Sequence, residues 1–342
     1  MKKTSLNEIA KSLGVSKTLV SFVLNGRGNE NGISKKTQET VFKKAKELNY
    51  HPNYIARGLR TGKSQTIGLV IADISNTFYA KIAKRIEEVA GNHNYNVVFC
   101  SSDENPEKEI DLLNMLKERS VDGMIISTSQ KNATIFSKLK SEKFPFVLID
   151  RKLPRISTNF AGVDNYNGAF QATNQLIKGG CRKIALLKIT PDYLSTIKDR
   201  EKGYREALKE SGIRVNNKII RSIDCSNIHS EVRKCLDNLL HPPHQIDAIL
   251  PVNNNIAVAC LEYLNELNIR IPEDIAMVSF DDIDLFRFSN PSITAVAQPV
   301  EKIGEESVKI LIDEINGVAL DTKQVVLPVK LIERKSCGVS KN

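Results

Sequence analysis

From Thr66 onward, short apolar runs alternate with segments of helical periodicity, and this alternation restricts the possible folds more than any other feature of the chain. The helical segments include Lys81–Ala90, Ile110–Arg119, Phe170–Ile177 and Ala257–Leu267. Apolar runs of strand length lie at Ile67–Ala72, Val97–Cys100, Met124–Ser127, Phe146–Ile149, Lys183–Leu187, Ile219–Ile223, Ala248–Pro251, Ile275–Phe280 and Val325–Leu331. Strands that alternate with helices predict an α/β fold with parallel strands, and the segment is long enough for two lobes.

Polar and aromatic residues follow several of these runs. Ligands of open parallel sheets bind at the carboxyl ends of the strands, so these loops are where we expect a ligand site. The loops contain aromatic, amide, carboxylate and guanidinium groups: Asn76, Phe78, Tyr79, Asp150, Arg151, Asn253, Asn254 and Asp281.

The positive charge of the chain is confined to its N-terminal fifth. Residues 1–63 contain thirteen Lys and Arg against four acidic residues, which accounts for the whole formal net charge of +9. Clustered basic residues favour a polyanionic partner such as nucleic acid. Solvated lysine-rich surfaces are also common, so charge alone leaves both interpretations open.

Three short helices are predicted in this basic segment. Ser5 and Glu8 form a capping box at the start of the first helix, and Gly14 permits the left-handed turn that ends it. Ser16 caps a second helix and Ser34 caps a third. Two helices joined by a tight glycine-containing turn and followed by a third predict a helix-turn-helix.

The second helix is the candidate for contact with DNA. Ser16, Thr18 and Ser21 carry hydroxyl groups that suit phosphate oxygens, and Lys17 and Thr18 are expected to project toward base edges. A small helical hairpin used for protein contacts is the alternative interpretation. The tight turn, the hydroxyl groups, the local charge and the basic linker that follows all favour DNA.

Two stretches, Glu8–Gly26 and Asn49–Arg60, resemble the head-piece of the lactose-repressor (LacI/GalR) family. The resemblance implies that the second helix lies in the major groove and that the later stretch forms a hinge helix in the minor groove. Leu59 occupies the position of the leucine that wedges into the central base step. Phe22 departs from the family, which usually has a base-reading arginine there, so one guanine contact should be missing. Gly58 weakens the short hinge helix by about 1 kcal/mol and favours a hinge that orders only on DNA.

The predicted head-piece spans residues 1–50, and the predicted hinge spans residues 51–63. The residues predicted to contact DNA come from both parts: Ser5, Ser16, Lys17, Thr18, Ser21, Phe22, Asn25, Ser34, Asn53, Ala56 and Leu59.

The rest of the chain resembles the effector domain of the same family, which is similar to periplasmic sugar-binding proteins. This domain is predicted to span residues 64–342, with a first lobe at about 64–162 plus 293–322 and a second at about 163–292 plus 323–340. The resemblance implies that Phe78 and Tyr79 stack on a ligand, since a polyhydroxylated ligand needs planar apolar faces together with polar groups. The candidate polar partners are Asn76, Asp150, Arg151, Arg200, Asn253, Asn254, Asp281 and Gln298.

Some of these residues also have a purely structural interpretation. Asp150 and Asp281 are alternatively turn or capping residues after strands, and the aromatic pair is alternatively core of the following helix. Arg200 is placed N-terminal to an amphipathic helix, where the helix dipole disfavours a cation, so a functional role is favoured. Asn254 stands where many relatives carry aspartate, which makes its assignment depend on the ligand.

Motifs of several enzyme classes are absent from the sequence. No G-x-G-x-x-G follows a strand, and there is no G-x-S-x-G elbow, P-loop or H-E-x-x-H motif. The six cysteines show no C-x-x-C pair or metal-ligand spacing, and His241-Pro242-Pro243-His244 is interpreted as a loop. We therefore expect no enzyme, no cofactor and no metal site.

The sequence also lacks the apolar h-region of a signal peptide and any apolar run near the ~20 residues that a membrane helix needs. A cytoplasmic protein that does not enter a membrane is expected. A secreted solute-binding protein would match the large domain alone, but the basic head-piece argues against it. Because no heptad repeat follows the last predicted strand, a homodimer is expected in place of a tetramer.

These features together predict a sequence-specific, DNA-binding transcription regulator that binds a palindromic operator as a homodimer. The resemblance favours a repressor of a carbohydrate-utilisation operon that is released by a small sugar or sugar derivative. A co-repressor ligand or a partner protein is the alternative mode of control.

Overall fold

The computed structural model describes residues 4–50, 62–318 and 321–338. The chain forms two compact units, residues 1–64 and residues 65–342, which we call the head-piece and the large unit. Most of the predicted hinge, including Asn53, Ala56 and Leu59, lies outside the described residues.

The head-piece folds around a small apolar core as the capping residues predict. Its helices are α1 (Leu6–Leu13), α2 (Lys17–Leu24) and α3 (Lys35–Glu47). The capping box is confirmed, because the Ser5 hydroxyl accepts from the Glu8 amide while the Glu8 carboxylate accepts from the Ser5 amide. Gly14 ends α1 with a φ of 66°, in the left-handed region. The buried core side chains are Ile9, Ala10, Val20, Val23, Val41 and Ala45.

The first lobe of the large unit is a parallel sheet with helices on both faces. Its strands are β1 (Thr66–Ile71), β2 (Asn96–Ser101), β3 (Gly123–Ile126), β4 (Phe146–Ile149), β5 (Asn159–Val163) and β11 (Gln324–Leu327). Its helices are α4 (Thr77–Asn92), α5 (Pro106–Glu118), α6 (Thr134–Ser141) and α12 (Val300–Ile315). The strand order is β11-β5-β4-β3-β1-β2. Apolar side chains of α4 and α12 cover one face, and those of α5 and α6 cover the other.

The second lobe repeats this arrangement around one large core. Its strands are β6 (Ile184–Ile189), β7 (Ile220–Ile223), β8 (Ala248–Pro251), β9 (Ala276–Phe280), β10 (Thr294–Ala297) and β12 (Lys330–Ile332). Its helices are α7 (Asn165–Lys178), α8 (Ser195–Glu210), α9 (Ile228–Leu240), α10 (Asn254–Glu266) and α11 (Asp284–Phe288). The strand order is β12-β10-β9-β8-β6-β7, with β12 antiparallel to β10. Helices α7 and α8 pack closely, since a Cβ added at Gly203 would lie 2.1 Å from the Tyr166 carbonyl oxygen.

The chain crosses between the lobes three times, and two predicted lobe boundaries are wrong. Residues 293–322 were assigned to the first lobe, but residues 294–297 form β10, which pairs with β9 of the second lobe, with Thr294 opposite Val278. Strand β11 was expected in the second lobe but pairs with β5 of the first, with Gln324 opposite Phe160. The physical reason is that the single predicted strand Val325–Leu331 is two strands in different sheets, divided at Pro328, which has no amide hydrogen to donate.

The predicted alternation of helices with parallel strands is confirmed in both lobes. Within the described residues, no helix is long and apolar enough to cross a membrane.

Candidate functional site

Helix α2 presents a polar stripe on the surface of the head-piece. Ser16, Lys17 and Thr18 are exposed at its N-terminus, whereas Val20 and Val23 are buried beneath it. Further along the same helix Ser21 and Phe22 are partly exposed and Asn25 is exposed. The stripe is therefore available to a partner along the length of the helix.

Several of the predicted DNA-contacting hydroxyl groups also cap helices. Ser5, Ser16 and Ser34 accept hydrogen bonds from backbone amides three residues on, at 3.3, 3.1 and 3.2 Å. The Asn25 side-chain amide donates to the Ser21 carbonyl at 2.6 Å, which holds it against its own helix. The Ser16 hydroxyl keeps a proton that it can donate to a phosphate oxygen. The Ser5 hydroxyl also donates to the Glu8 carboxylate at 3.4 Å, and the Ser34 hydroxyl shares a hydrogen bond with the Thr37 hydroxyl at 2.8 Å.

A cleft between the two lobes lies at the carboxyl ends of both sheets, where parallel sheets bind ligands. It is lined by Asn76, Phe78, Tyr79, Glu104, Asp150, Arg151, Ile189, Thr196, Ile197, Arg200, Asn253, Asp281 and Gln298. Its cavity measures about 40 Å³, which is room for a water molecule or two but not for a sugar. The lobes touch across it, since the Tyr193 hydroxyl of the second lobe donates to the Ser129 carbonyl of the first at 2.7 Å.

The first-lobe wall of the cleft is a buried network of charged and polar groups. Arg151 donates from both terminal nitrogens to the Glu104 carboxylate, at 2.7 and 2.5 Å. Tyr79 donates from its hydroxyl to Asp150 at 2.8 Å. Burial raises the pKa of the Tyr79 hydroxyl well above its usual value, so Tyr79 keeps this proton. Asp150 adopts a φ of 62°, a left-handed conformation that aspartate tolerates better than most residues.

The second-lobe wall is organised around Arg200, which lies inside α8 and not ahead of it as expected. Its Nε donates to the Asn165 side-chain oxygen at 2.8 Å, and Nη1 donates to the Val252 carbonyl. The guanidinium stacks on Phe280, 3.6 Å from the ring centroid. These three contacts fix the position of the cation at the cleft.

Asp281 stands opposite this guanidinium and accepts from the Gln298 side-chain amide at 2.5 Å. Burial raises the pKa of the Asp281 carboxyl, and the positive charge of Arg200 offsets this only in part. A buried carboxylate with a raised pKa is stabilised by further donors, such as the hydroxyl groups of a ligand.

The aromatic pair, Phe78 and Tyr79, belongs both to the core of the first lobe and to the lining of the cleft. Their rings meet edge to face with centroids 5.1 Å apart. Asn76 positions them by capping α4, since its side-chain oxygen accepts from the Phe78 amide at 3.0 Å.

The structure brings nine of the ten predicted effector residues to this cleft and leaves out Asn254. Asn254 is buried beneath the wall, where its backbone amide donates to Asp281. Its neighbour Asn253 lines the cleft and caps α10. The unpredicted lining residues are Glu104, Ile189, Thr196 and Ile197. Glu104 follows a predicted strand as the other loop residues do, so that rule would have found it.

Polar atoms without partners indicate what the cleft can bind. Four buried side-chain atoms of the described residues have no hydrogen-bond partner, and two of them, Arg151 Nε and Gln298 Oε1, belong to residues that line the cleft. A buried donor and acceptor left unpaired are costly, and a ligand with hydroxyl groups would pair both. In the described part of the chain, no cluster of three or more His, Cys, Asp or Glu side chains is arranged to hold a metal ion.

Comparison with known proteins shows what the chain is similar to. Residues 5–53 match the family model of bacterial regulatory proteins of the lacI family, and residues 173–337 match that of a periplasmic binding protein-like domain. The chain is 35% identical over 342 residues to the ribose operon repressor of Halalkalibacterium halodurans, covering 99% of this chain and 98% of that protein.

Solved structures agree with these matches. A LacI family transcriptional regulator from Enterococcus faecium with bound ribose superposes with a TM-score of 0.71 at 26% identity, covering 80% of this chain and 98% of that one. The lac repressor dimer bound to operator and an anti-inducer gives a TM-score of 0.85 and covers 99% of this chain and 100% of that one. At 24% identity this second likeness speaks for the fold alone. The matches confirm the predicted two-part architecture and the predicted DNA-binding regulator, as opposed to an enzyme: the chain belongs to the LacI family of bacterial regulatory proteins.

Proposed function

We propose that the protein is a cytoplasmic, homodimeric repressor that binds a palindromic operator and is released by a small sugar of the ribose class. The observation that carries the proposal is the interlobe cleft, in which a buried donor and acceptor lack partners beside an aromatic pair. The ribose operon repressor and the ribose-bound regulator among the similar proteins support the class of ligand.

On the DNA side, the exposed stripe of α2 supports a major-groove contact. Lys17 and Thr18 are proposed to reach base edges. The capping hydroxyls of Ser5, Ser16 and Ser34 are proposed to contact phosphates, where the amides of the helix N-termini add favourable partial charge.

The remaining predicted DNA contacts come from the apolar and hinge residues. Phe22 offers an apolar surface, with Ser21 and Asn25 beside it, and suits a thymine methyl group better than a guanine edge. Asn53, Ala56 and Leu59 are assigned to the minor groove on the resemblance alone.

Exposed apolar side chains on α11, including Phe288 at 79% exposure, support a protein interface in the second lobe, as a homodimer requires.

On the effector side, a sugar is proposed to sit between Phe78 and the polar groups of the second lobe. Asp281, Asn253 and Gln298 would accept from and donate to its hydroxyl groups, and Arg151 Nε would donate to a ring or hydroxyl oxygen. We propose that the lobes separate to admit the sugar, because a cavity of about 40 Å³ is too small to hold it. Ligand and DNA are then coupled through the relative stability of the open and closed states.

Fluorescence anisotropy with labelled palindromes from upstream of the gene tests the proposal, with titration by ribose, xylose, glucose and adenine. A coupling of about 1–3 kcal/mol predicts that ribose weakens operator binding about 5- to 150-fold. Tighter binding on addition of ribose would assign a co-repressor instead. Specific binding that none of the compounds alters would remove ribose as the effector, and equal affinity for scrambled DNA would refute operator recognition.

A further inference from the structure

We infer that Glu104 sets the charge specificity of the cleft, so that it accepts an uncharged sugar and rejects sugars that carry a carboxylate or phosphate. The inference rests on the proposed sugar response and adds the charge class of the effector and the residue that selects it.

Glu104 occupies the groups of Arg151 that would otherwise bind an anion. Both terminal nitrogens of Arg151 donate to its carboxylate, the bidentate geometry in which a guanidinium also binds a ligand carboxylate or phosphate. The Ser129 hydroxyl adds a third hydrogen bond to Glu104 at 3.2 Å. The remaining nitrogen of Arg151, Nε, makes no hydrogen bond and lies 3.5 Å from Asp150 Oδ2, so at most a single donor is left, which suits a hydroxyl or ring oxygen.

This ion pair belongs to one lobe and does not depend on closure of the cleft. Glu104 follows β2 and Arg151 follows β4, so both are carried by the first sheet. The Glu104 backbone amide donates to the Ala72 carbonyl at 2.9 Å, which fixes the loop to the end of β1. The side chains of Glu104 and Arg151 are only 14% and 6% exposed. An incoming ligand therefore meets an ion pair that is already formed and is largely shielded from water.

The second cation of the cleft uses two of its three nitrogens, Nε and Nη1, within its own lobe. Arg200 donates to Asn165 and to the Val252 carbonyl and stacks on Phe280, as described above. The charged lining residues are three carboxylates and two guanidinium groups: Glu104, Asp150, Asp281, Arg151 and Arg200. Counted at their formal charges, these groups leave one negative charge in excess, so an anionic ligand meets net repulsion in a site shielded from solvent.

Isothermal titration calorimetry of the full chain with D-ribose, D-ribonate and D-ribose 5-phosphate tests this inference. We expect the wild type to bind ribose at least tenfold more tightly than either anion. Replacing one nearby charge changes the energy of an anion in the cleft enough to alter its affinity roughly tenfold or more. Glu104→Gln is therefore expected to lower the dissociation constant of the anion, relative to that of ribose, by roughly tenfold or more.

Two variants separate charge selection from a general disturbance of the cleft. Glu107→Gln removes the same charge from an exposed position three residues away and is expected to leave the ratio unchanged. Glu104→Asp keeps the carboxylate and is expected to keep the preference for ribose. Circular dichroism and operator binding report whether each variant is folded, and the wild-type comparison tests charge exclusion without any variant.

The outcomes are distinct. A wild type that prefers ribonate or ribose 5-phosphate refutes charge exclusion. An unchanged ratio in folded Glu104→Gln removes Glu104 as the determinant but leaves the ribose response intact. A wild type that binds none of the three probes overturns the proposed ribose-class effector itself, and the inference with it.

Discussion

Glu109 is a buried carboxyl group behind the first-lobe wall, and its ionisation should make the stability of the large unit depend on pH. It lies in the first turn of α5 and is fully buried. It accepts from the Thr128 hydroxyl at 2.7 Å and from the Ser129 amide at 2.6 Å. Burial raises its pKa from 4.5 to about 7 against these hydrogen bonds, which lower it. Replacement by glutamine keeps the shape of the protonated acid and removes the titration.

The size and the sign of the effect follow from this pKa. The difference between 4.5 and about 7 corresponds to roughly 3 kcal/mol, at 1.36 kcal/mol for each pKa unit. Between these pH values the folded chain holds a proton that the unfolded chain releases, so stability falls as pH rises. The contribution is complete below pH 4.5 and is lost as pH passes through about 7.

Thermal unfolding followed by circular dichroism at pH 5 and pH 8 measures the effect. We expect Glu109→Gln to be within about 1 kcal/mol of the wild type at pH 5 and about 3 kcal/mol more stable at pH 8. At about 2 °C for each kcal/mol, the variant should melt roughly 6 °C higher at pH 8. Glu107→Gln, an exposed acid in the same helical turn, should follow the wild type. Parallel pH profiles for the wild type and Glu109→Gln would refute a raised pKa at this position.

Three further changes test the proposed sites. Arg200→Ala should lose the response to ribose, because it removes the guanidinium that faces Asp281 in the cleft and holds Asn165, a charged hydrogen bond worth about 2 kcal/mol, while operator affinity measured by anisotropy stays normal. A variant that still responds would remove Arg200 from the site. Tyr193→Phe deletes the interlobe hydrogen bond and should weaken ribose binding about three- to tenfold in calorimetry, whereas unchanged affinity would show that this contact does not support closure. Leu59→Ala should weaken operator binding but not salt-dependent binding to random DNA, and an equal loss on both would exclude the wedge.

The parts of the fold that depend on strong local signals were predictable from the sequence. Helices α1, α2 and α3 begin at serine caps, and each predicted cap forms its hydrogen bond. Strands buried on both faces, such as β4, read as continuous apolar runs. Strands β5 and β10 were not predicted, because small residues such as Gly162 and Ala295 leave no run of large apolar side chains.

The start of α8 shows why one expectation about the site was wrong. No side chain caps this helix at Leu194, so the sequence gives no start signal, and the helix was placed after Arg200. The expected conflict between Arg200 and a helix dipole therefore does not exist. Arg200 reaches the cleft because it shares a face of α8 with Thr196 and Ile197, one turn earlier.

The sequence does not show which of Asn253 and Asn254 faces the cleft, because composition does not fix the residue at which α10 begins. Both residues follow β8. Asn253 caps α10 and lines the cleft, whereas Asn254 is the first residue of α10 and is buried beneath the wall. Glu104 was overlooked for a different reason. Its place after a predicted strand marks it as a candidate, but an acid in a polar loop resembles any solvated charge until its partner Arg151, 47 residues later, is brought beside it by the order of the strands.

The crossing segments link the cleft to the relative position of the two lobes. The chain crosses at Asp164, at Gln298 and between β11 and β12, and the Asp164 amide donates to the Leu327 carbonyl at 3.0 Å, which ties two crossings together. Residues at these crossings also hold the cleft, since Asn165 accepts from Arg200 and Gln298 donates to Asp281. A sugar that donates a hydrogen bond to Gln298 Oε1 would therefore act on a residue at a crossing between the lobes. Only the few residues at the crossings change conformation when the lobes move relative to each other. A small change in their hydrogen bonds is therefore sufficient to shift the balance between open and closed states.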